Sequence, residues 1–175
     1  MQPTIFFLKR LPTVLVLLCA LTLCGQDHPA GAPAAATSSS TDFNAVADKA
    51  LAAMKQKAEE LNAKGVAVVA YSQGDAVESW SSKMIAVGRL TSPPSSNSPA
   101  GENNLAIAYT KASEMAITLK DSGSHRPLLR GENGWQGGVV AKGKTGLLIA
   151  AFSGGVSADD VKVSRAGLAV LSDAL

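Results

Sequence analysis

The chain has almost none of the residues that would supply a disulfide or a thiolate metal site. Only two of its 175 residues are cysteines, Cys19 and Cys24, and both lie within the first 24 residues. The chain after Cys24 therefore has no disulfide and no cysteine-bound metal. It must be stabilised by its hydrophobic core alone.

An excess of charge of one sign is also missing. The chain carries 16 Lys and Arg against 14 Asp and Glu. Lys9 and Arg10 account for the whole difference, so the remainder is neutral, with 14 residues of each sign. No basic cluster or arm is present in that remainder, and this argues against a nucleic-acid-binding protein.

Residues 14–23 form an almost unbroken apolar run, which is too short to span a bilayer as a permanent anchor. With Lys9 and Arg10 before it, the run predicts an export signal over residues 1–24. The string Leu-Thr-Leu-Cys ending at Cys24 resembles a bacterial lipobox and would place a lipid on that cysteine. The alternative is ordinary cleavage near the alanines at 34–36. The expected location is outside the bacterial cytoplasm, either periplasmic or as a membrane-anchored lipoprotein.

The rest of the chain divides into a tether and one domain. Residues 25–41 are rich in Ala, Pro, Ser and Thr and predict a flexible tether. Residues 42–175 have the length of a single domain with one core. There is no internal repeat in the chain.

Hydrophobic periodicity and turn residues predict the order α-β-β-α-β-β-α. Because hairpins rather than long crossovers join the strands, we expect an α/β (α+β) fold with a mainly antiparallel sheet and helices packed on it. The first helix is expected to begin at Thr41 or Asp42 and to stop at Gly65, and the second to begin at Asn103 or Asn104. The other predicted elements are strands at 66–71, 76–80, 139–141 and 147–152, a further extended piece at 84–88, a surface loop at 91–101, and a last helix from Ser157 in which Asp160 completes a reciprocal cap.

Residues 138–145, Gly-Val-Val-Ala-Lys-Gly-Lys-Thr, satisfy the phosphate-loop pattern G-x-x-x-x-G-K-[ST]. A working phosphate loop needs a helix after it, whose free N–H groups hold the phosphates. The residues after Thr145 are instead typical of a strand, so we interpret the string as a hairpin turn.

A second glycine pair, Gly154-Gly155, precedes the last helix. It could form a backbone cradle for an anion, or a tight turn in which glycine supplies a positive φ. Asp159 and Asp160 in the first turn of the helix would repel an anion, which favours the turn.

The C-terminal strings resemble the GlcG/HbpS-like family, a haem-binding-protein domain also found at the C terminus of PduO-type proteins. The resemblance rests on Gly-Gly-Val at 137–139, Gly-Leu-Leu-Ile-Ala-Ala-Phe-Ser-Gly-Gly at 146–155, Asp-Asp at 159–160 and Ala-Gly-Leu-Ala at 166–169. It covers residues 45–172. It implies a profilin-like fold, assembly into homo-oligomers and, for some members, haem binding.

Haem iron takes His, Met, Tyr or Cys ligands. His125 is therefore the predicted metal ligand, with Arg126 and Arg130 beside it as partners for the propionates. The alternative is a solvated loop with a lone histidine. Tyr109 is a further candidate, although its place on the apolar stripe of the second helix is more typical of a core residue.

No catalytic constellation is evident, and Lys111 is expected off the apolar stripe, facing solvent or a subunit contact. The sequence therefore predicts an exported domain that binds a small ligand, with haem or a related tetrapyrrole first. It would act in haem sensing or handling, and the membrane would be reached only through a lipid anchor. The alternative is a non-catalytic structural or sensory module that acts through oligomer contacts and has no cofactor.

Overall fold

A computed structural model describes residues 38–123 and 126–175, and side-chain surroundings from Phe43 onward. All of these residues belong to one compact unit, Ala35–Leu175. Cys24 and His125 lie outside the described residues, and so do the predicted signal and nearly all of the predicted tether.

Within the described ranges the chain forms three helices and six strands. In chain order these are α1 (Ser38–Glu60), β1 (Gly65–Gln73), β2 (Ser81–Val87), β3 (Thr91–Ser92), β4 (Glu102–Asn103), α2 (Asn104–Thr118), β5 (Gly138–Lys142), β6 (Gly146–Ser153) and α3 (Ser157–Ala174). The fold is therefore mixed α/β, as predicted. The observed order adds the short β3–β4 ladder, which the predicted order lacked.

Four of the strands form one antiparallel sheet in the order β2-β1-β6-β5. The two central strands, β1 and β6, pair from Val66 opposite Ser153 to Gln73 opposite Gly146. Each central strand is buried along almost its whole length, so each reads as a continuous apolar run. Burial on both faces of the sheet explains that pattern, because helices cover both faces.

The helices α1 and α3 pack on one face of the sheet, and α2 packs on the other. Alternate residues of β1 separate accordingly, with Ala67, Val69 and Tyr71 against α1 and α3. Val66 and Val68 lie in the cluster that contains Ala108 of α2. The main core lies between α1, α3 and the sheet, and its largest fully buried side chains include Phe43, Met54, Phe152 and Leu171.

Several predicted boundaries are wrong. The first helix begins before Thr41 and Asp42 and ends at Glu60, where Asn62 takes a positive φ of 52°, so Gly65 is not its stop but the first residue of β1. No strand forms at 76–80, because β1 continues to Gln73 and its partner β2 begins only at Ser81. The predicted surface loop at 91–101 contributes a short strand, β3.

Other predictions are confirmed. The apolar face of α1 buries Phe43, Ala50, Met54 and Ala58. The helix α2 begins at Asn104, and its cap is Asn103, whose side-chain oxygen accepts from the N–H of Ala106. None of the described helices has the length and hydropathy needed to cross a membrane.

Candidate functional site

A polar cleft of about 410 Å³ lies where the end of β6 turns into α3. Its volume is in the range of sites for small ligands. The turn contributes Ser153, Gly154 and Gly155, α2 contributes Lys111, and α3 contributes Asp160. The remaining lining residues are Glu102, Trp135, Gln136, Val156 and Ser157.

Lys111 is the central residue of this cleft. Its side chain is only 3 % exposed, and its Nζ donates to Asp160 Oδ2 at 2.9 Å and to the carbonyl oxygen of Phe152 at 2.7 Å. The expectation that Lys111 faces solvent or a subunit contact is therefore wrong. Its side chain runs from α2 to the end of β6 and the first turn of α3, so one ammonium group joins three elements.

Asp160 receives hydrogen bonds on both carboxylate oxygens. Oδ2 accepts from Lys111, and Oδ1 accepts from the N–H of Gly155 at 2.9 Å. The predicted reciprocal cap with Ser157 is wrong, because the N-cap is Val156 and its side chain makes no capping hydrogen bond. Asp160 instead holds the turn before its helix and neutralises the buried lysine.

Gly137 packs closely against the ion pair. A Cβ atom added to Gly137 would lie 2.3 Å from Lys111 Nζ and 2.7 Å from Asp160 Cβ. Gly137 also has a φ of +130°, which a residue with a side chain rarely adopts. Its carbonyl oxygen accepts from Ser164 Oγ at 2.6 Å and from the N–H of Phe152 at 2.9 Å. The pair therefore depends on the absence of a side chain at position 137.

Burial shifts the pKa values of both charged groups in the direction that favours their neutral forms. It lowers the pKa of the Lys111 ammonium, although the charge and hydrogen bond of Asp160 and the charge of Glu102 act in the opposite direction. Burial also raises the pKa of the Asp160 carboxyl, against the effects of Lys111 and of the Gly155 N–H. Transfer of a proton from the Lys111 ammonium to the Asp160 carboxylate thus costs less free energy here than between exposed groups.

A second, more apolar groove of about 340 Å³ lies beside the C-terminal half of α2. Its lining comprises Val77, Glu78, Ser79, Trp80, Ser113, Ala116 and Ile117. Ile117 is 63 % exposed, and the neighbouring Leu119 is exposed as well. This groove contains no buried charge pair, which distinguishes it from the cleft at Lys111.

The phosphate-loop string forms the β5–β6 hairpin, which confirms its interpretation as a turn. The N–H of Gly143 donates to the carbonyl oxygen of Gly146, and a strand rather than a helix follows Thr145. The hydroxyl of Thr145 lies 2.8 Å from the hydroxyl of Tyr71. The Ser/Thr position that would bind magnesium in a phosphate loop is therefore already hydrogen-bonded to β1. The glycine pair at 154–155 is likewise a strand-to-helix turn, with a positive φ at Gly154.

The described residues among those predicted for haem do not line the cleft. Tyr109 packs with Val66 and Val68 on the α2 side of the sheet, and its hydroxyl lies 3.4 Å from Ser82 Oγ. Arg126 donates to Glu132 Oε1 and to the carbonyl oxygen of Pro127. Arg130 is exposed in the same connection, and His125 lies outside the described residues. Across the described ranges, no three His, Cys, Asp or Glu side chains form a group that could hold a metal ion.

Comparison with known proteins adds no family assignment. No protein-family model matches the chain, and no curated protein matches it significantly.

The sequence did carry a signal for Lys111. Ala108, Ala112 and Met115 mark the buried stripe of α2, and Lys111 lies three residues after the first and four before the last. Residues at those spacings share a helix face. A lysine on a buried stripe needs a buried partner, and Asp160 in the first turn of α3 supplies it.

Proposed function

We propose that this domain binds a small polar ligand in the cleft at Lys111. The observation that carries the proposal is that the Lys111–Asp160 pair, although almost fully buried, lines an open cleft rather than the apolar core. Charged pairs in such clefts are often functional, because a ligand can exchange hydrogen bonds with them.

The lining favours a compact ligand with hydrogen-bonding groups. Glu102, Gln136 and Ser157 offer carboxylate, amide and hydroxyl groups around the buried pair. Trp135, which is 46 % exposed, offers an aromatic surface. A ligand that pairs with these polar groups and covers the indole would satisfy both parts of the lining.

Haem does not fit this lining. The described lining contains no His, Met, Tyr or Cys that would bind iron, and Glu102 and Asp160 would repel the propionates. Among the predicted propionate partners, the guanidinium of Arg126 is already bound by Glu132. The haem prediction therefore rests on the resemblance, on His125, and on Arg130 and Tyr109, which do not belong to the described lining.

The proposal can be tested with fluorescence and matched variants. The chain has two tryptophans, so Trp80→Phe leaves Trp135 as the only reporter. Polar fragments that ligand-observed NMR detects on this protein should change Trp135 emission. Ser157→Tyr, which narrows the cleft, should weaken their binding at least tenfold, whereas Ser79→Tyr in the second groove should not. Equal affinity in the two tyrosine variants would refute a site in the cleft.

Haem titration provides the competing outcome. We expect no Soret shift that depends on the cleft. A Soret shift lost in His125→Ala but retained in Ser157→Tyr would place haem binding at His125 and overturn the assignment of the cleft as the ligand site.

The second candidate function, a module acting through contacts between copies of the chain, is favoured by the apolar surface around Ile117 and Leu119. Exposed apolar patches commonly mark protein contacts. Under this proposal Ile117→Lys lowers the sedimentation coefficient to that of a monomer, while Ser157→Tyr does not. A wild-type protein that sediments as a monomer at micromolar concentration would exclude it.

We also propose a profilin-like fold and export from the cytoplasm. An antiparallel sheet with helices on both faces supports the profilin-like description. Lys9, Arg10, the apolar run at 14–23 and Cys24 support export, with or without a lipid on Cys24. Labelling with a lipid analogue, compared between the wild type and Cys24→Ala, tests the anchor.

A further inference from the structure

We propose that Lys111 is an amine nucleophile that forms an imine with a small aldehyde bound in the cleft. The inference deepens the proposed function and rests on it, because the carbonyl compound must enter the same cleft. It assigns a chemistry to the site and a class of ligand.

The geometry places an amine and a proton acceptor together in the lining of the cleft. Lys111 is the only lysine in the described lining, and Asp160, whose Oδ2 lies 2.9 Å from Nζ, lines the same cleft. Two of the three ammonium N–H bonds are directed to Asp160 and to the Phe152 carbonyl. A buried pair that served only to join α2 to α3 would not need an open cleft beside it.

The reaction balances with the groups present. Lys111 begins as an ammonium and Asp160 as a carboxylate, and transfer of one proton gives the amine and the carboxylic acid. The amine nitrogen attacks the carbonyl carbon, and one N–H proton moves to the oxygen to give a carbinolamine. Asp160 then protonates the hydroxyl, which leaves as water, and the nitrogen lone pair forms the C=N bond. The products are a protonated imine, one water and the original carboxylate.

Burial of Lys111 makes the neutral amine that such a reaction requires easier to form. Burial lowers the pKa of Lys111 and raises that of Asp160. Two acidic groups near the amine oppose its deprotonation, namely Asp160 on α3, which also exchanges the proton with it, and Glu102 on β4. Asp159, beside Asp160, raises the pKa of the Asp160 carboxyl further.

The test is reductive trapping followed by peptide mapping. The wild-type protein is incubated at neutral pH with sodium cyanoborohydride and either glyoxylate or propionaldehyde, and the alkylated lysines are identified by mass spectrometry. We expect Lys111 to react at least tenfold faster than Lys162, whose side chain is 59 % exposed. The rate at Lys111 should saturate with probe concentration. If Lys162 reacts faster than Lys111, the proposal is overturned.

The two probes distinguish an uncharged aldehyde from one that carries a carboxylate. Because Glu102 and Asp160 line the cleft and repel anions, we expect trapping at Lys111 to be faster with propionaldehyde than with glyoxylate. A preference for propionaldehyde means that the cleft recognises simple aldehydes. Faster trapping of propionaldehyde at Lys111 supports the proposal, whereas a preference for glyoxylate or equal slow labelling of all lysines contradicts it.

Variants separate reactivity from structure. Asp160→Asn keeps an oxygen for the Gly155 N–H but cannot move protons, so trapping at Lys111 should slow at least tenfold in protein that circular dichroism shows to be folded. Ser157→Tyr should reduce trapping without changing the circular dichroism spectrum, and Ser79→Tyr should change neither. These outcomes do not depend on a Lys111 variant that folds, since the wild-type peptide map carries the main result.

Failure of this inference differs from failure of the proposed function. If fragments change Trp135 emission but neither probe is trapped on Lys111, the cleft binds ligands without imine chemistry. If no fragment changes Trp135 emission and neither probe is trapped, both proposals fail.

Discussion

Lys111 Nζ and Asp160 Oδ2 lie 2.9 Å apart and join α2, on one face of the sheet, to α3, which packs on the other. The two residues are separated by 49 positions along the chain, and both side chains are almost fully buried. Their meeting point is the edge where β6 ends, because Lys111 also donates to the carbonyl of Phe152. This single contact defines the candidate site and links it to the stability of the fold.

Removal of one partner of this pair should destabilise the domain strongly. We expect Lys111→Met to lower the free energy of unfolding by about 3–5 kcal/mol, because the Asp160 charge is left buried without its partner. The double variant Lys111→Met, Asp160→Asn should recover much of that loss, since both charges are gone. Urea denaturation of the four proteins in the cycle measures the coupling. Additive losses would show that the two charges act independently.

Gly137→Ala should disrupt the Lys111–Asp160 ion pair and destabilise the domain. The new methyl group would overlap Lys111 Nζ and Asp160 Cβ, and overpacking of this kind costs about 1–3 kcal/mol. A positive φ adds about 1–2 kcal/mol for a residue with a side chain. Gly131→Ala is the matched control, because Gly131 also has a positive φ, of 99°, but has no atom near its Cβ position. Equal losses in thermal unfolding would show that φ alone accounts for the effect.

The stability of the domain should depend on the Thr145 side chain in the β5–β6 hairpin but should not change when nucleotide is added. Thr145→Val removes the hydrogen bond with Tyr71 and should lower the free energy of unfolding by about 0.5–1.5 kcal/mol. Lys144→Ala should change it little. Millimolar ATP with magnesium should leave the melting temperature of the wild type unchanged. A nucleotide-dependent rise that Lys144→Ala removes would contradict the interpretation of this string as a turn.

The turn at 126–132 should titrate in acid. The hydrogen bond from Arg126 and that from the Leu129 N–H lower the pKa of Glu132 below its ordinary value of 4.5. Since the folded pKa lies below the unfolded one, the stabilisation from Glu132 is complete above about pH 4.5 and disappears as the pH falls through the folded value. The amide signal of Leu129 should therefore shift with a midpoint below 4.5 in an NMR titration. Glu132→Gln should abolish this shift, and a midpoint above 4.5 would contradict the hydrogen-bonding scheme.

Much of the fold could be predicted because it depends on local patterns. The apolar run at 147–152 identifies β6, and the cap at Asn103 fixes the start of α2 within one residue. The lysine–glycine string at 142–145 indicates a hairpin because apolar β-rich residues flank it. The prediction of a strand at 76–80 was wrong because the end of β1 is set by its pairing with β6, which continues to Gln73.

The candidate site could not be predicted to the same extent because it depends on long-range contacts. The sequence predicts a local cap for Asp160, the commonest role of an acidic residue in the first turn of a helix, and a surface position for Lys111. The spacing of Lys111 from Ala108 and Met115 places it on the buried stripe, but nothing in the sequence names its partner. The cleft beside the pair appears only when the end of β6, Gly137 and the two helices are brought together.

The sequence by itself determined the class of fold, the hairpin at the phosphate-loop string and the neutrality of the domain, because each follows from nearest-neighbour patterns or from composition. Only the tertiary structure decided which charged residues are buried, since burial depends on what the opposite face of the sheet brings near. The tertiary structure shows that Lys111, expected at the surface, is buried in the lining of a cleft. It also showed that the Thr145 hydroxyl is already bonded to Tyr71. The desolvation that perturbs Lys111 and Asp160 arises from packing, and packing is a property of the assembled fold.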